Sequence, residues 1–278
     1  MAPTGVAPVL ESFPPAARPD PDRPWPAEVA SVLGRCTYPP PGASLACAVS
    51  GGPDSLALLA LAVAAGCSAT AVHVDHGLRP GSAGEAAVVA GAARSLGAGF
   101  RTERVAVAPG PNLETRARDA RYAVLPPEVA TGHTMDDQAE TVLGNLLRGA
   151  GADGLAAMAP GPSHPLLGVR RDEARRVCRA VGLDWVVDPT NEDPRHLRNR
   201  VRHELLPLCR AVAGRDPVPL LARAADLCRE DAALLGSLAG EAVPDPQDAP
   251  ILVAAPLPLA RRAIREWLRG AGATASSG

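Results

Sequence analysis

Residues 46–58, "ACAVSGGPDSLAL", constrain this chain more than any other stretch. An apolar run stops at Ser50-Gly51-Gly52, and Pro53-Asp54-Ser55 opens a second apolar run. Proline suits the first turn of a helix, where its missing N–H has no partner to lose. The stretch therefore reads as strand, glycine loop, helix. The carboxyl end of a strand, at a helix N-terminus, is where parallel α/β sheets bind anions. Gly51 and Gly52 can adopt backbone angles closed to other residues and let a phosphate approach the main chain. Ser50 and Ser55 add hydroxyl donors. Asp54 repels a bare phosphate, but it fits if Mg²⁺ lies between carboxylate and phosphate. A simple glycine turn with Asp54 or Ser55 as helix N-cap satisfies the same letters.

Around this loop the pattern alternates. Ser55–Ala65 reads as a helix ended by Gly66, and Thr70–Val74 as a short buried strand. Gly84–Leu96 is an Ala-rich helix, and Phe100–Val107 alternates like a strand. Asn112 reads as the cap of a helix running to about Leu125, and Val129–Thr131 as a brief strand. A helix follows from about Asp136 to Gly149. This spacing predicts an α/β fold, a Rossmann-like parallel sheet with helices on both faces. Beyond Gly154 helices dominate, over Arg170–Val181, His196–Cys209, Val218–Ala239 and Pro258–Arg269. The expected organisation is a disordered Pro-rich leader over 1–41, an α/β domain over 42–210 and a small all-helical region over 211–278.

The chain is 46% apolar with only 3% aromatics, so its core must be mostly Ala, Val and Leu. It contains no lysine; all 28 basic residues are arginine. That excludes a Walker P-loop, a protein-kinase site and a pyridoxal Schiff base, each of which needs a lysine. Net charge is −2, yet residues 164–215 hold 11 Arg against seven acids. That local excess suits phosphate tracking; a solvated helix face with pairs such as Asp172–Arg176 would account for it too. The six cysteines form no C-x-x-C pair and read as small core residues of a reduced protein. The longest apolar stretch, Leu56 to Val74, is broken by Gly66, Ser68 and Thr70, so no membrane span is expected.

A second motif, "GHTMDDQAET" (Gly132–Thr141), also follows a short strand and opens a helix. If that helix starts near His133, His133 and Asp137 share a face. An imidazole beside a carboxylate suits metal binding or proton transfer. Alternatively, Asp136 and Asp137 are helix-start charges favoured by the macrodipole.

"SGGPDS" resembles the SGGxDS pyrophosphate loop of the N-type ATP pyrophosphatases, the PP-loop superfamily. "VHVDHGLRPGSAGEA", "NLETRARDARY", "GHTMDDQAETVLGNLLRGAGADGLAAM", "HPLL" and "DPTNEDPRHLRNRVRHELLP" continue in the order of the tRNA(Ile)-lysidine synthetase family. The resemblance covers about Ser44 to Cys209. It implies that ATP adenylates the wobble cytidine of a tRNA(Ile) with a CAU anticodon, with loss of pyrophosphate. Free lysine then displaces AMP. Ser50, Gly51, Gly52, Pro53, Asp54 and Ser55 would hold the ATP, and Asp54 and Asp137 the Mg²⁺. His133 would assist proton transfer or orient the reacting groups, and Arg118 would contact phosphate or the activated base. Asp188, Asn191 and Arg198 would serve the substrates, with Arg202 positioning lysine or tRNA. The resemblance also implies a cytoplasmic protein, a homodimer and no membrane contact. Departures are His164, where the family usually has Arg, and a shortened C-terminal region. Another PP-loop tRNA-modifying enzyme, such as a 2-thiocytidine synthetase, is disfavoured by the missing C-x-x-C. A nucleotide- or tRNA-binding protein that has lost catalysis is the further alternative.

Overall fold

The helix after the glycine loop is apolar on every side, and the fold is built around it. In this computed structural model, which describes residues 9–11, 24–75, 82–105, 116, 120, 123–187, 193 and 195–271, it spans Pro53–Ala64 (α2). Leu56 through Ala62 are all fully buried. A helix that is hydrophobic all round has to be enclosed. The sheet lies on one side, with α1 (Ala27–Leu33) and α6 (Arg171–Ala180) sharing its core.

The remaining elements follow in chain order. Strand β1 (Val9–Glu11) precedes α1, and β2 (Ser44–Ala48) leads into the glycine loop and α2. Then come β3 (Ser68–Asp75), α3 (Ser82–Leu96), β4 (Gly99–Arg104) and β5 (Ala130–Thr131). After β5 come α4 (Met135–Leu147), α5 (Ala152–Leu155), α6 and β6 (Trp185–Val187). Next are α7 (Leu197–Arg200), a π-helical turn over Val201–Leu205, and α8 (Leu206–Ala213). The chain ends with α9 (Val218–Ala242), α10 (Ala249–Ala254) and α11 (Leu257–Gly270).

Four strands form a parallel sheet in the order β4-β3-β2-β5. Cys47 is opposite Ala71 on one side and Ala130 on the other. Alternate residues of a strand point to opposite faces, and β2 shows it. Leu45 and Cys47 enter the large core with α1, α2 and α6, while Ala46 and Ala48 pack with Val72, Leu125 and Val129. Both sheet faces are therefore covered, as expected for parallel strands. The chain walks outward from β2 to β3 to β4, then returns to place β5 on the other side of β2. The switch point lies between β2 and β5, where open α/β sheets bind their ligands.

Several expectations are corrected. The disordered leader does not extend to residue 41, because Val29 and Val32 of α1 are buried in the main core. Val9–Glu11 pairs antiparallel with β6. Between the helices expected over Val218–Ala239 and Pro258–Arg269 lies a further one, α10, capped by Asp248, which accepts the Ile251 N–H at 3.3 Å. Most of the helix expected after Asn112 lies outside the described residues.

The chain divides into two compact units, Met1–Thr141 with Met158–Pro219, and Val142–Ala157 with Leu220–Gly278. The second has its own small core around Ala239, Val243 and Ala263. Within it, the buried Arg262 pairs with Asp153 at 2.6 Å and donates to the Ala232 carbonyl at 3.0 Å. No helix among the described residues is long and apolar enough to cross a membrane.

Candidate active site

The glycine loop closes on itself at the end of β2. Gly51 has φ of +90°, a conformation that L side chains rarely adopt. Gly52 is the N-cap of α2 and Pro53 its first residue; a glycine has no side chain with which to cap the helix. The positive end of the helix, partly buried at the loop, is suited to an anion. The Ser55 hydroxyl donates to the Gly52 carbonyl at 2.9 Å and accepts the Ser50 N–H at 3.2 Å. The Gly51 carbonyl accepts the Val186 N–H of β6 at 2.9 Å, and the buried Cys178 thiol donates to the Pro53 carbonyl at 3.2 Å.

The second loop leaves β5 and touches the first. A Cβ on Gly132 would lie 2.7 Å from the Asp54 carbonyl oxygen, so only glycine lets the two loops meet here. Helix α4 begins at Met135, within one residue of the start expected near Asp136 and past the His133 start that the shared face would need. Thr134 is its N-terminal flank: its N–H and hydroxyl both donate to Asp137 Oδ2 at 2.7 Å. The Asp137 carboxylate reaching back to the N–H before the helix is one half of a capping box. His133 lies outside the helix and does not form a helical i,i+4 pair with Asp137. Its Nδ1 is instead 2.8 Å from the Thr131 hydroxyl, and its ring centroid is 5.5 Å from that of His164.

Arginines tie the acids together. Arg171 Nε is 3.6 Å from Asp54 Oδ2, and its Nη2 is 2.7 Å from Asp137 Oδ1 and 2.9 Å from Glu140 Oε1. One guanidinium thus spans Asp54 and Asp137. Arg198 donates to Asp137 at 2.6 Å and to Glu140 at 2.9 Å. Arg202, on the π-helical turn, donates to both Glu140 oxygens at 2.7 and 3.0 Å. Beside them, Asp136 accepts from Arg170 at 3.0 and 3.1 Å and from the Arg171 N–H at 2.9 Å, joining the starts of α4 and α6.

The two acids named by the motifs have opposite electrostatics. Burial, and then the neighbouring Asp137 charge, push the Asp54 carboxyl up to about 7 against the pull of Arg171. Burial also acts on Asp137, but Arg171, Arg198 and the Thr134 N–H overcome it and hold that carboxyl well below the usual range. Asp54 Oδ1 is buried and has no hydrogen-bond partner among the described residues. Magnesium selects hard oxygen ligands and keeps few protein contacts when phosphates are present. The orphaned Asp54 oxygen fits such an ion, whereas both Asp137 oxygens are already engaged. Among the described residues no three His, Cys, Asp or Glu side chains form a metal cage by themselves.

Ser50 to Ser55, His133, Asp137, Arg198 and Arg202 thus gather around the β2–β5 switch point. Arg118, Asp188 and Asn191 lie outside the described residues. Glu140 and Arg171 were not singled out from the sequence. The signal for Glu140 was present, since it follows Asp137 by three positions and shares its helix face. Arg171 gave none, because it reads as one of several charges opening an amphipathic helix.

A glycine loop and an acidic loop side by side at the switch point of a parallel sheet define a nucleotide-binding α/β domain. A family model described as a PP-loop domain matches residues 27–209. The chain is 46% identical over 251 residues to the tRNA(Ile)-lysidine synthase of Nocardia farcinica (strain IFM 10152), covering 84% of this chain and 79% of that protein. It is 43% identical to the tRNA(Ile)-lysidine synthase of Rhodococcus opacus (strain B4), covering 84% and 76%. That of Mycobacterium tuberculosis (strain ATCC 25618 / H37Rv) is 44% identical, covering 81% and 75%. The chain belongs to the tRNA(Ile)-lysidine synthase family of PP-loop proteins. Among solved structures, the U34-tRNA thiolase NcsA from Methanococcus maripaludis with its [4Fe-4S] cluster shares the fold. Its TM-score is 0.56 at 17% identity, covering 73% of this chain and 77% of that one.

Proposed function

We propose that this protein joins lysine to C2 of the wobble cytidine of tRNA(Ile) with a CAU anticodon, using ATP and releasing AMP and pyrophosphate. The observation that carries the reading is the pairing of Asp54 and Asp137 across one guanidinium at the switch point. Relatives 43–46% identical over more than four-fifths of the chain, all tRNA(Ile)-lysidine synthases, support it.

Each residue then has a task. The Ser50–Ser55 loop and the positive end of α2 hold the phosphates that leave as pyrophosphate. Asp54 is the principal ligand for Mg²⁺, with Asp137 beside it; when bound, the ion neutralises charge on the phosphates. Arg171 spans the same two acids and keeps Asp137 ionised. His133, at the lip of β5, takes up or returns a proton as the lysine amine attacks. Arg198 and Arg202 orient the acidic pair and the substrates around it. Arg118 serves the phosphate or activated base, and Asp188 and Asn191 serve lysine. Six free thiols suit a reducing cytoplasm, and a homodimer is the assembly proposed.

The test uses purified protein with ATP, Mg²⁺, labelled lysine and unmodified tRNA(Ile) carrying CAU. Label entering the tRNA supports the proposal. Pyrophosphate release without lysine transfer points to another PP-loop modification, and ATP binding alone to a protein that has lost catalysis.

A further inference from the structure

Thr131 is the last residue of β5, and its hydroxyl lies between two groups. It donates to the Ser163 carbonyl at 3.1 Å and is 2.8 Å from His133 Nδ1. The same carbonyl accepts the Thr131 N–H at 2.9 Å, which fixes the threonine against residue 163. A hydroxyl has one proton, and a carbonyl has none to give. With the threonine proton on the Ser163 carbonyl, which can only accept, the contact with His133 forms with Nδ1 as the donor. The His164 ring flanks His133 from the other loop, tilted by 41°. Asp137, from α4, is an acid whose charge couples to His133.

We infer that Thr131 is a positioning residue that keeps a proton on His133 Nδ1, so that proton exchange takes place at Nε2. A neutral histidine free in water favours the opposite tautomer, so the Thr131–Ser163 pair works against the intrinsic preference. The second ring nitrogen of a histidine is commonly set by the bond the first one makes. A threonine whose own proton is committed to a carbonyl makes that choice one-way. The catalytic part rests on His133 acting as the proton carrier proposed above; the tautomer does not.

The test is nitrogen-15 NMR of histidine-labelled protein, with the His133 signals assigned by their loss in His133→Gln. The expected neutral ring carries its proton on Nδ1. In Thr131→Val the hydroxyl is removed at similar shape, and the signal shifts toward the Nε2-protonated form. The kcat for lysine transfer then falls about tenfold to a hundredfold, within the range that a positioned proton carrier supplies, while KM for ATP is unchanged. Thr131→Ser restores both the tautomer and the rate. In a His133→Gln background, Thr131→Val costs nothing further. A wild-type His133 protonated on Nε2 overturns the inference without any variant, and so does a Thr131→Val protein that keeps the wild-type tautomer. If Thr131→Ser is as damaged as Thr131→Val, shape and not the hydroxyl is responsible. A protein that transfers no lysine at all counts against the proposed function, while the NMR result still decides the tautomer.

Discussion

Asp54 leaves one carboxylate oxygen buried without a hydrogen bond among the described residues, beside a second acid that stays ionised. Its folded value of about 7 lies above the ordinary 3.8. The folded protein therefore binds this proton more tightly than the unfolded chain does. By linkage, the ligand-free protein loses stability from this group as pH rises from about 4 to about 7. Asp54→Asn is expected to raise the melting temperature at pH 8 and to abolish tRNA-dependent pyrophosphate release. Near-normal release would refute the metal and phosphate assignment. Glu140 is a fully buried carboxylate that meets three guanidinium groups. Glu140→Gln leaves those charges without their counter-ion, and denaturant melts should show a loss of about 3–5 kcal/mol.

At the scale of elements, α2 holds the glycine loop in place because every side of it is buried. Leu58→Ala should cost about 2–5 kcal/mol, a value that calorimetry at fixed pH would check. The link between α1 and α6 is electrostatic as well as apolar. Arg35 makes a two-pronged contact with Glu173 at 2.7 and 3.1 Å, and Glu173 also accepts the Arg170 N–H at 2.9 Å. Burial opposes ionisation of Glu173, but Arg35 and that N–H win and lower its pKa from 4.5. A depressed carboxyl stabilises the fold above its unfolded value and loses that contribution as pH falls through the folded one. Arg35 is partly exposed, so the contribution is about 1 kcal/mol or less. Glu173→Gln should therefore lower the midpoint of urea unfolding at pH 7 and leave it unchanged near pH 3.

Across the whole molecule, the arginine-rich segment 164–215 is less available than its composition implies. Among the described residues at least eight of its 11 arginines are in ion pairs: Arg170, Arg171, Arg176, Arg195, Arg198, Arg200, Arg202 and Arg210. Eleven free arginines on a duplex would give a log–log salt slope of about −10. Filter binding of tRNA across a salt series should give a clearly shallower slope, and a value near −10 would mean these pairs open on binding. Strand, loop and helix around Ser50–Ser55, the alternation into a parallel sheet, the short strand before Gly132 and the family itself were legible in the sequence. Those features are local: apolar period, glycine and proline chemistry, and fixed motif order lie within a few residues of one another. The start of α4 near Asp136 was legible too, but the helical face shared by His133 and Asp137 was not realised, because Thr134 flanks the helix and leaves His133 outside it. The helix at residues 27–33 was missed because its proline-rich surroundings say nothing about the core waiting for Val29 and Val32. The tertiary structure alone brought Arg171 and Arg198 to Asp137 across 34 and 61 positions, and set Thr131 against Ser163. A sequence states which charges exist; which of them meet, and which proton a histidine keeps, depends on burial that only the closed fold creates.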